Sequence, residues 1–324
     1  MNNQASEWHL YRCKHMRHLA YNISNQWGKY TLYSICTLLI LLSFSACIKD
    51  DFPNCNTTLL LQIKAIDATG QDITASGEAG GAKLYVFDKN QRLIQQLPVS
   101  ADDIQNRTRI QLLIKGTNSF SVVVWSNLNG NQQADSLANG ISMNQAFVQL
   151  KKNAEGYAVN PDDLFFGILN MNSSSANSDI TLEDNITIQR KTAIVNIMVK
   201  GLDAQAANDY YFIIKGAKED TYNFKGNLVG SPIDYKQSGE FNTSNTQFIS
   251  SPFSMYPLSE GNSLTIYIYK GEELIATANT NNVNGGNIVP VEGVTTNVLI
   301  DVRSSLNVNI IVTDWNDVYH WFEW

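Results

Sequence analysis

Aliphatic residues recur at every second position in several short segments, and this pattern constrains the fold more than any other feature of the sequence. Three segments near the C-terminus show it most clearly, namely Leu264, Ile266 and Ile268, then Val298, Ile300 and Val302, and then Val308, Ile310 and Val312. Successive side chains of a β-strand point to opposite faces, so a period of two gives a strand with one apolar face. The pattern therefore predicts antiparallel sheets with one face in a core and one in water.

Similar segments occur through most of the chain. The predicted strands are 58–66, 83–88, 93–97, 109–114, 119–125, 146–150, 186–190, 193–199, 210–215, 224–229, 247–253, 263–270, 273–277, 297–303 and 307–313. The polar stretches 127–140 and 170–179 are expected to be loops, and the second of these to be mobile. Short strands separated by turns favour sandwiches over α/β architectures. We predict an all-β protein of two β-sandwich domains, with the junction near 189–201.

An uncharged, largely apolar run at 30–46 precedes Cys47, and Arg17 and Lys29 stand before it. A basic n-region, an apolar h-region and small residues at the cut are the parts of a secretory signal peptide. The order Ser45-Ala46-Cys47 resembles the lipobox of bacterial lipoproteins, in which the cysteine is acylated and becomes the first residue. The alternative is an uncleaved membrane helix, for which the run is short because spanning needs about 20 apolar residues. Met16 is an alternative start to Met1.

Removal of such a leader takes away most of the histidines and cysteines, two residue types that often serve in catalysis or bind metal. Three of the four histidines and two of the four cysteines lie before Cys47, so the mature chain keeps His320 and the acylated Cys47 with Cys55. Catalytic triads and zinc sites need several such residues to converge. We predict no enzymatic activity, no cofactor, no metal and no small-molecule substrate.

Charge excludes another class of function. The chain carries a net charge of −7, and the leader carries +3 from four basic residues against one acid, which leaves −10 on the mature chain. Binding to nucleic acid calls for clustered Lys and Arg, so no nucleic-acid partner is expected. Lys49, Asp50 and Asp51 follow the lipidated cysteine. They resemble the surface-export signal of Bacteroidetes lipoproteins, or else they belong to a solvated tether.

The C-terminus is the candidate contact for a protein partner. Val308, Ile310 and Val312 form an alternating strand, and an aromatic tail follows it with Trp315, Trp321 and Trp324. Aromatic residues are common anchors of interfaces. The alternative is that this strand and its rings close the core of their own domain.

Two rival functions remain open from the residues. A surface glycan-binding lipoprotein would use exposed aromatic residues such as Trp125, Tyr157 and Trp315. A glycoside hydrolase would need two carboxylates across a cleft. The adjacent pairs Asp162-Asp163 and Glu272-Glu273 do not supply them, because neighbouring side chains on a strand point apart, and they are interpreted as turn acids.

Several stretches taken together resemble one family, the FimB-like fimbrial anchor lipoproteins of type V pili in Bacteroidales. They are Cys47-Ile48-Lys49-Asp50-Asp51, 84–88, 122–127 (VVVWSN), 163–167 (DLFFG), 188–202 (IQRKTAIVNIMVKGL) and 311–315 (IVTDW). The resemblance implies two transthyretin-like sandwich domains and no enzymatic activity. The expected organisation is a signal peptide at 1–46, a lipidated tether at 47–56, an N-terminal domain at 57–189 and a C-terminal domain at 190–324.

The resemblance also implies a position and a partner. Family members sit at the base of a fimbria in the outer membrane, held by the N-terminal lipid, and contact a stalk subunit by strand exchange. Stalk subunits lose a leading strand to an Arg-directed protease, whereas the first arginine after Cys47 here is Arg92. We therefore expect an anchor that is never opened and so ends fibre growth. An accessory or tip adhesin is the alternative within the family.

Overall fold

The structure is a computed structural model that describes most of the chain from Asn56 onward. The described residues are 56–128, 130–134, 137–172, 180–244, 246–259, 261–280, 286–303 and 306–319. The predicted signal peptide, Cys47 and its neighbours in the tether, Trp321 and Trp324 lie outside them. Within these residues, strands make up nearly all of the regular structure, which confirms the all-β prediction. No helix in the described ranges is long and apolar enough to cross a bilayer.

The first sheet contains seven strands from the described residues before 191. They are β1 (Asn56–Ile66), β2 (Ala82–Asp88), β3 (Leu93–Val99), β4 (Ile110–Lys115), β5 (Ser119–Ser126), β8 (Phe165–Asn172) and β9 (Ile180–Arg190). Their order is β3-β2-β5-β8-β9-β1-β4. A short helix, α1 (Ala101–Gln105), lies between β3 and β4 in sequence, and the side chain of Ser100 caps its first turn by accepting from the amide of Asp103.

Strand β1 is internal to this sheet. It pairs in parallel with β9 and antiparallel with β4. Leu59, Leu61, Ile63 and Ala65 alternate along it, and all four are buried in the first core. Because successive side chains point to opposite faces, this alternation places the intervening residues, Leu60, Gln62 and Lys64, on the other face. The first strand is therefore an integral part of the sheet.

The second sheet is formed by nine strands of the described residues after 192. They are β10 (Ala193–Lys200), β11 (Tyr210–Ala217), β14 (Ile233–Phe241), β15 (Gln247–Ser250), β16 (Phe253–Met255), β17 (Thr265–Lys270), β18 (Glu273–Ala278), β19 (Thr295–Asp301) and β20 (Asn307–Thr313). The order is β18-β17-β11-β14-β15-β10-β19-β20, with β16 also paired to β10. All pairs are antiparallel except β10 with β19.

A small third sheet joins the two halves of the chain. It contains β6 (Gln132–Ala134), β7 (Phe147–Leu150), β12 (Thr221–Asn223) and β13 (Leu228–Val229) in the order β13-β12-β7-β6. Strand β12, from the second half, pairs with β7, from the first. Beside this pair, the ring of Trp125 on β5 lies 5.7 Å from Tyr222 and 6.2 Å from Phe224. Backbone pairing and aromatic packing thus connect the halves.

The prediction of two domains divided at 189/190 stays a prediction, although membership of the two large sheets changes between Arg190 and Ala193. The transthyretin-like topology likewise stays a prediction. The alternating segments are found close to their expected positions.

Three differences from the predicted strands have local causes. The polar segment at 233–241 forms the nine-residue strand β14, because its neighbours β11 and β15 supply partners that the sequence does not show. Residues up to Asn172 belong to β8 instead of the predicted loop, whereas 173–179 lie outside the described residues. In the predicted strand at 224–229, residues 224–227 form a tight turn between β12 and β13, and only 228–229 form a strand, β13. The side chain of Asn223 stabilises this turn by accepting from the amides of Lys225 and Asn227.

Candidate functional site

The predicted contact residues on β20 lie in three different environments. Val308 is buried in the second hydrophobic core, a cluster that also contains Val298 and Ile300 of β19. Ile310 is partly buried against this core. Val312 is 57% exposed. Strand β20 pairs with β19 over seven residues and is the last strand in the order of the second sheet. Strand β20 is therefore the edge strand of its own sheet. Of its three predicted contact residues, only Val312 offers a large apolar surface to a partner.

A buried asparagine fixes the strand and the segment after it. The side chain of Asn297, on β19, donates through Nδ2 to the Ile311 carbonyl at 3.2 Å and to Thr313 Oγ1 at 3.0 Å. Its Oδ1 accepts from Asn196 Nδ2 at 3.1 Å and from the amide of Tyr319 at 3.0 Å. One side chain thus ties β10, β20 and the C-terminal segment together.

Trp315 lies against a buried arginine, Arg190, at the end of β9. The guanidinium carbon lies 4.3 Å from the Trp315 ring centroid and 4.9 Å from that of Phe165. Arg190 Nε donates to both carboxylate oxygens of Asp163 at 3.0 Å, and its Nη2 donates to Glu78. Stacking on rings and hydrogen bonds to carboxylates are the interactions for which a guanidinium is suited. One face of Trp315 is therefore covered by its own chain.

The arginine of this cluster is charged and shielded from water, whereas its partner Glu78 is exposed. The Arg190 side chain is 2% exposed, and burial lowers its pKa to about 10, so the guanidinium stays charged at neutral pH. Burial raises the pKa of Asp163 to about 7, and a hydrogen bond from Thr192 opposes that rise. The adjacent guanidinium favours the carboxylate form. The arrangement supports an ion-paired structural anchor between the end of β9 and the C-terminal segment.

The acidic pairs considered for catalysis do not face each other across a cleft. Asp163 is paired with Arg190, and an oxygen of Asp162 accepts from the amide of Asn131 at 3.2 Å. Glu272 and Glu273 are exposed at the start of β18. Within the described ranges, no group of three or more His, Cys, Asp or Glu side chains is placed to hold a metal ion.

The sequence pattern did not assign a role to Arg190, Asp163 or Asn297. The first two lie in stretches that carry the family resemblance, 188–202 and 163–167, and this was the available signal. Asn297 is an isolated polar residue on the face of β19 opposite Val298 and Ile300. It is fully buried, and its partners come from three separate elements.

This architecture is the fold of a known class of fimbrial proteins. The solved structure of the fimbrial anchor protein Mfa2 from Porphyromonas gingivalis aligns with a TM-score of 0.59 over 81% of this chain and 98% of that one. The two sequences are 15% identical, so this likeness is one of fold.

The chain belongs to the family of fimbrillin-A associated anchor proteins Mfa1 and Mfa2, whose family model matches residues 52–321. The major fimbrium anchoring subunit FimB of P. gingivalis strain W83 is 31% identical over 306 residues, covering 92% of this chain and 99% of that protein. A second P. gingivalis FimB is 32% identical over 300 residues, covering 90% of this chain and 96% of that protein. The resemblance predicted from the sequence is confirmed.

Proposed function

We propose that this protein is a non-enzymatic lipoprotein that anchors a fimbria to the outer membrane through a lipid on Cys47. The observation that carries the proposal is similarity along nearly the full length to two fimbrium anchoring subunits. A diacylglyceryl group with a further acyl chain on Cys47 would supply the two or more chains that stable anchoring needs. The partner in this role is a stalk subunit of the fibre.

The place of β1 supports the further proposal that the protein ends fibre growth. Strand exchange needs a vacant groove in a sheet. Here β1 is internal, between β9 and β4, so its removal would open two ladders and take the buried Leu59 and Leu61 out of the core. The first arginine after Cys47 is Arg92, which is exposed in the turn after β2 and lies beyond β1 in sequence. A cut there would not release β1 as a separate leading strand.

Arginine-specific proteolysis tests this point. We expect brief digestion of the folded protein to give no cut before Arg92, and β1 to stay associated with the sheet. Intact mass spectrometry and gel filtration after digestion measure both. The Asn54→Arg variant provides the matched control, since it places an arginine in the predicted tether just before β1. Loss of the segment before residue 67 from the wild-type protein would contradict the proposal.

The anchoring role is tested in cells of the parent strain. Deletion of the gene should release fimbriae into the medium, and complementation with Cys47→Ala should fail to restore retention. Complementation with Cys55→Ala, a matched cysteine eight residues on, should restore it. Electron microscopy of cells and immunoblots of culture medium measure the distribution. Normal retention and length of fimbriae in the deletion strain would overturn the anchor proposal.

The glycan-binding alternative uses side chains that are poorly placed for sugars. Trp125 is fully buried, and Trp315 is covered on one face by Arg190. Tyr157 lies beside the Lys236 ammonium, 5.6 Å from the ring centroid. Recovery of polysaccharide without fimbrial subunits in a pull-down with the mature protein would favour that alternative over the anchor.

A further inference from the structure

Strand β4 ends the first sheet, and its outer side is open as far as the described residues show. Its inner side pairs with β1 over six residues, from Ile110 with Leu61 to Lys115 with Asn56. Among the described residues, no other strand pairs with β4. An open edge presents a row of unpaired backbone donors and acceptors, on which another extended chain can pair.

The opposite edge of the same sheet is protected. At the start of β3, the amide of Leu93 donates to the Ile141 carbonyl at 2.9 Å, and its carbonyl accepts from the amide of Gly140 at 2.7 Å. Near its end, Pro98 has no N–H to donate. Prolines and covering loops are devices by which proteins block edge pairing. In the described part of the chain, β4 has neither a proline nor a covering loop. Its edge is therefore more accessible to another strand than the edge of β3.

The side chains of β4 suit an incoming strand. Leu112 and Ile114 face the first core, whereas Leu113, in the middle of the strand, is 45% exposed. Arg109 and Lys115, at the two ends, are exposed. A strand added here would extend the core with alternate apolar residues. Its outward face would meet Leu113, the ammonium of Lys115 and the guanidinium of Arg109, which also contacts Glu183 at 3.1 Å.

We propose that β4 is the edge on which an extended segment of a fimbrial stalk subunit adds to this protein. This segment carries apolar residues at alternate positions and a carboxylate where it meets Lys115. The proposal rests on the anchor function and adds the surface and the chemistry of the partner. A second copy of this chain is a poorer occupant, because antiparallel pairing of two β4 strands places Lys115 of one copy beside Arg109 of the other. Like charges across strands are destabilising.

Binding of the stalk subunit at β4 should also depend on salt, because charged residues lie at the ends of this strand. Attraction between exposed charges is screened at high ionic strength. The Lys115→Glu variant should therefore bind the stalk subunit more weakly than the wild type at low salt, and the difference should shrink at high salt. Equal binding by Lys115→Glu and wild type at low salt would contradict the charge match.

The main test uses the mature protein and stalk subunits dissociated from sheared fimbriae of the parent strain. Hydrogen exchange should show new protection of β4 amides in the complex. Leu113→Lys should weaken binding at least about tenfold, since it places a charge beside the incoming strand. Leu274→Lys is the matched control, because Leu274 is 47% exposed on β18, and it should bind as the wild type does. Thermal unfolding should show that both variants are folded.

The outcomes separate this inference from the anchor function. If wild-type protein binds and Leu113→Lys binds equally well, the β4 inference is wrong and the anchor function stands. Loss of binding in Val312→Lys with no change in Leu113→Lys would assign the contact to β20 instead. Absence of binding by the wild type, together with retained fimbriae in the deletion strain, would overturn the anchor function. A dimer of the wild type that Leu113→Lys abolishes would identify a second copy as the occupant.

Discussion

Replacement of Arg190 by alanine is expected to lower the free energy of unfolding by about 3–5 kcal/mol. The change leaves the carboxylates of Asp163 and Glu78 without their counter-ion and removes the cation between the rings of Phe165 and Trp315. Breaking one partner of a buried pair is costly because the remaining charge stays desolvated, which here applies to Asp163, since the Glu78 side chain is exposed. Urea denaturation of the mature protein, followed by fluorescence, measures the loss.

An exposed arginine provides the control. Arg109 pairs with Glu183 at 3.1 Å, and both side chains are largely in water, so Arg109→Ala should cost less than about 1 kcal/mol. Combining Arg190→Met with Asp163→Leu should recover part of the stability lost in Arg190→Ala, because the pair is then replaced by apolar groups. Equal losses in Arg190→Ala and Arg109→Ala would show that burial adds nothing to the first pair.

Replacement of Trp125 by alanine is expected to cost about 3–5 kcal/mol, the range for a large aromatic residue in a core. Trp125 is fully buried on β5 and lies 4.6 Å from the Phe166 ring and 5.7 Å from that of Tyr222 on β12. Burial raises the pKa of Tyr222 well above its ordinary value, so its hydroxyl stays protonated and donates to the Lys191 carbonyl at 2.6 Å. Loss of the indole removes its contacts with the rings of Phe166 and Tyr222 and would weaken the contact between the two halves.

The Trp125→Phe variant separates the effect of lost apolar packing from the effect of the buried indole N–H. The indole Nε1 is buried without a hydrogen-bond partner in the described part of the chain, and such a group carries a desolvation cost. Phenylalanine keeps most of the apolar contact and removes that donor, so its loss should be clearly smaller than that of Trp125→Ala. Thermal and urea unfolding of the two variants give the comparison. Equal losses in both variants would mean that the indole has a partner or that the pocket needs its full volume.

These two residues bear on assembly as well as on stability. A fimbrial anchor transmits force from a fibre to the membrane, and a weak joint between the halves of the chain would yield first. The aromatic contact at Trp125 and the third sheet connect those halves. The Arg190 cluster holds the segment after β20 against the end of β9. We expect both variants to reduce fimbrial retention only as far as they lower the amount of folded protein.

Most strands could be predicted from the sequence because their information is local. Alternation along 298–302 or 308–312 requires only that one face be buried. Strand β14 could not be predicted in this way, since only Ile233 and Tyr235 of its nine residues are buried. It forms because β11 and β15 pair with it. Asn223 diverted a predicted strand into a turn, because its side chain satisfies backbone amides that a ladder would otherwise use.

The candidate site was predictable only in part. The C-terminal row was correctly recognised as a strand, but its three aliphatic residues are not equivalent. Val308 is buried and Val312 is exposed because their neighbours in the fold differ. The Arg190 cluster joins residues at positions 78, 163, 190 and 315, and no periodic pattern relates such distant positions. The open edge at β4 is likewise a property of sheet order, which sequence alone does not specify.

The sequence by itself determined the β-rich class, the apolar faces of most strands, the scarcity of catalytic residues after Cys47 and the family resemblance, because each depends on residue identity or short-range spacing. Only the tertiary structure decided that β1 is internal, that Arg190 and Trp315 meet, and that, among the described residues, the outer edge of β4 has no partner strand while the start of β3 is covered. Those outcomes depend on which strands become neighbours. That choice is made by packing between distant segments, since the same alternating pattern is compatible with many strand orders.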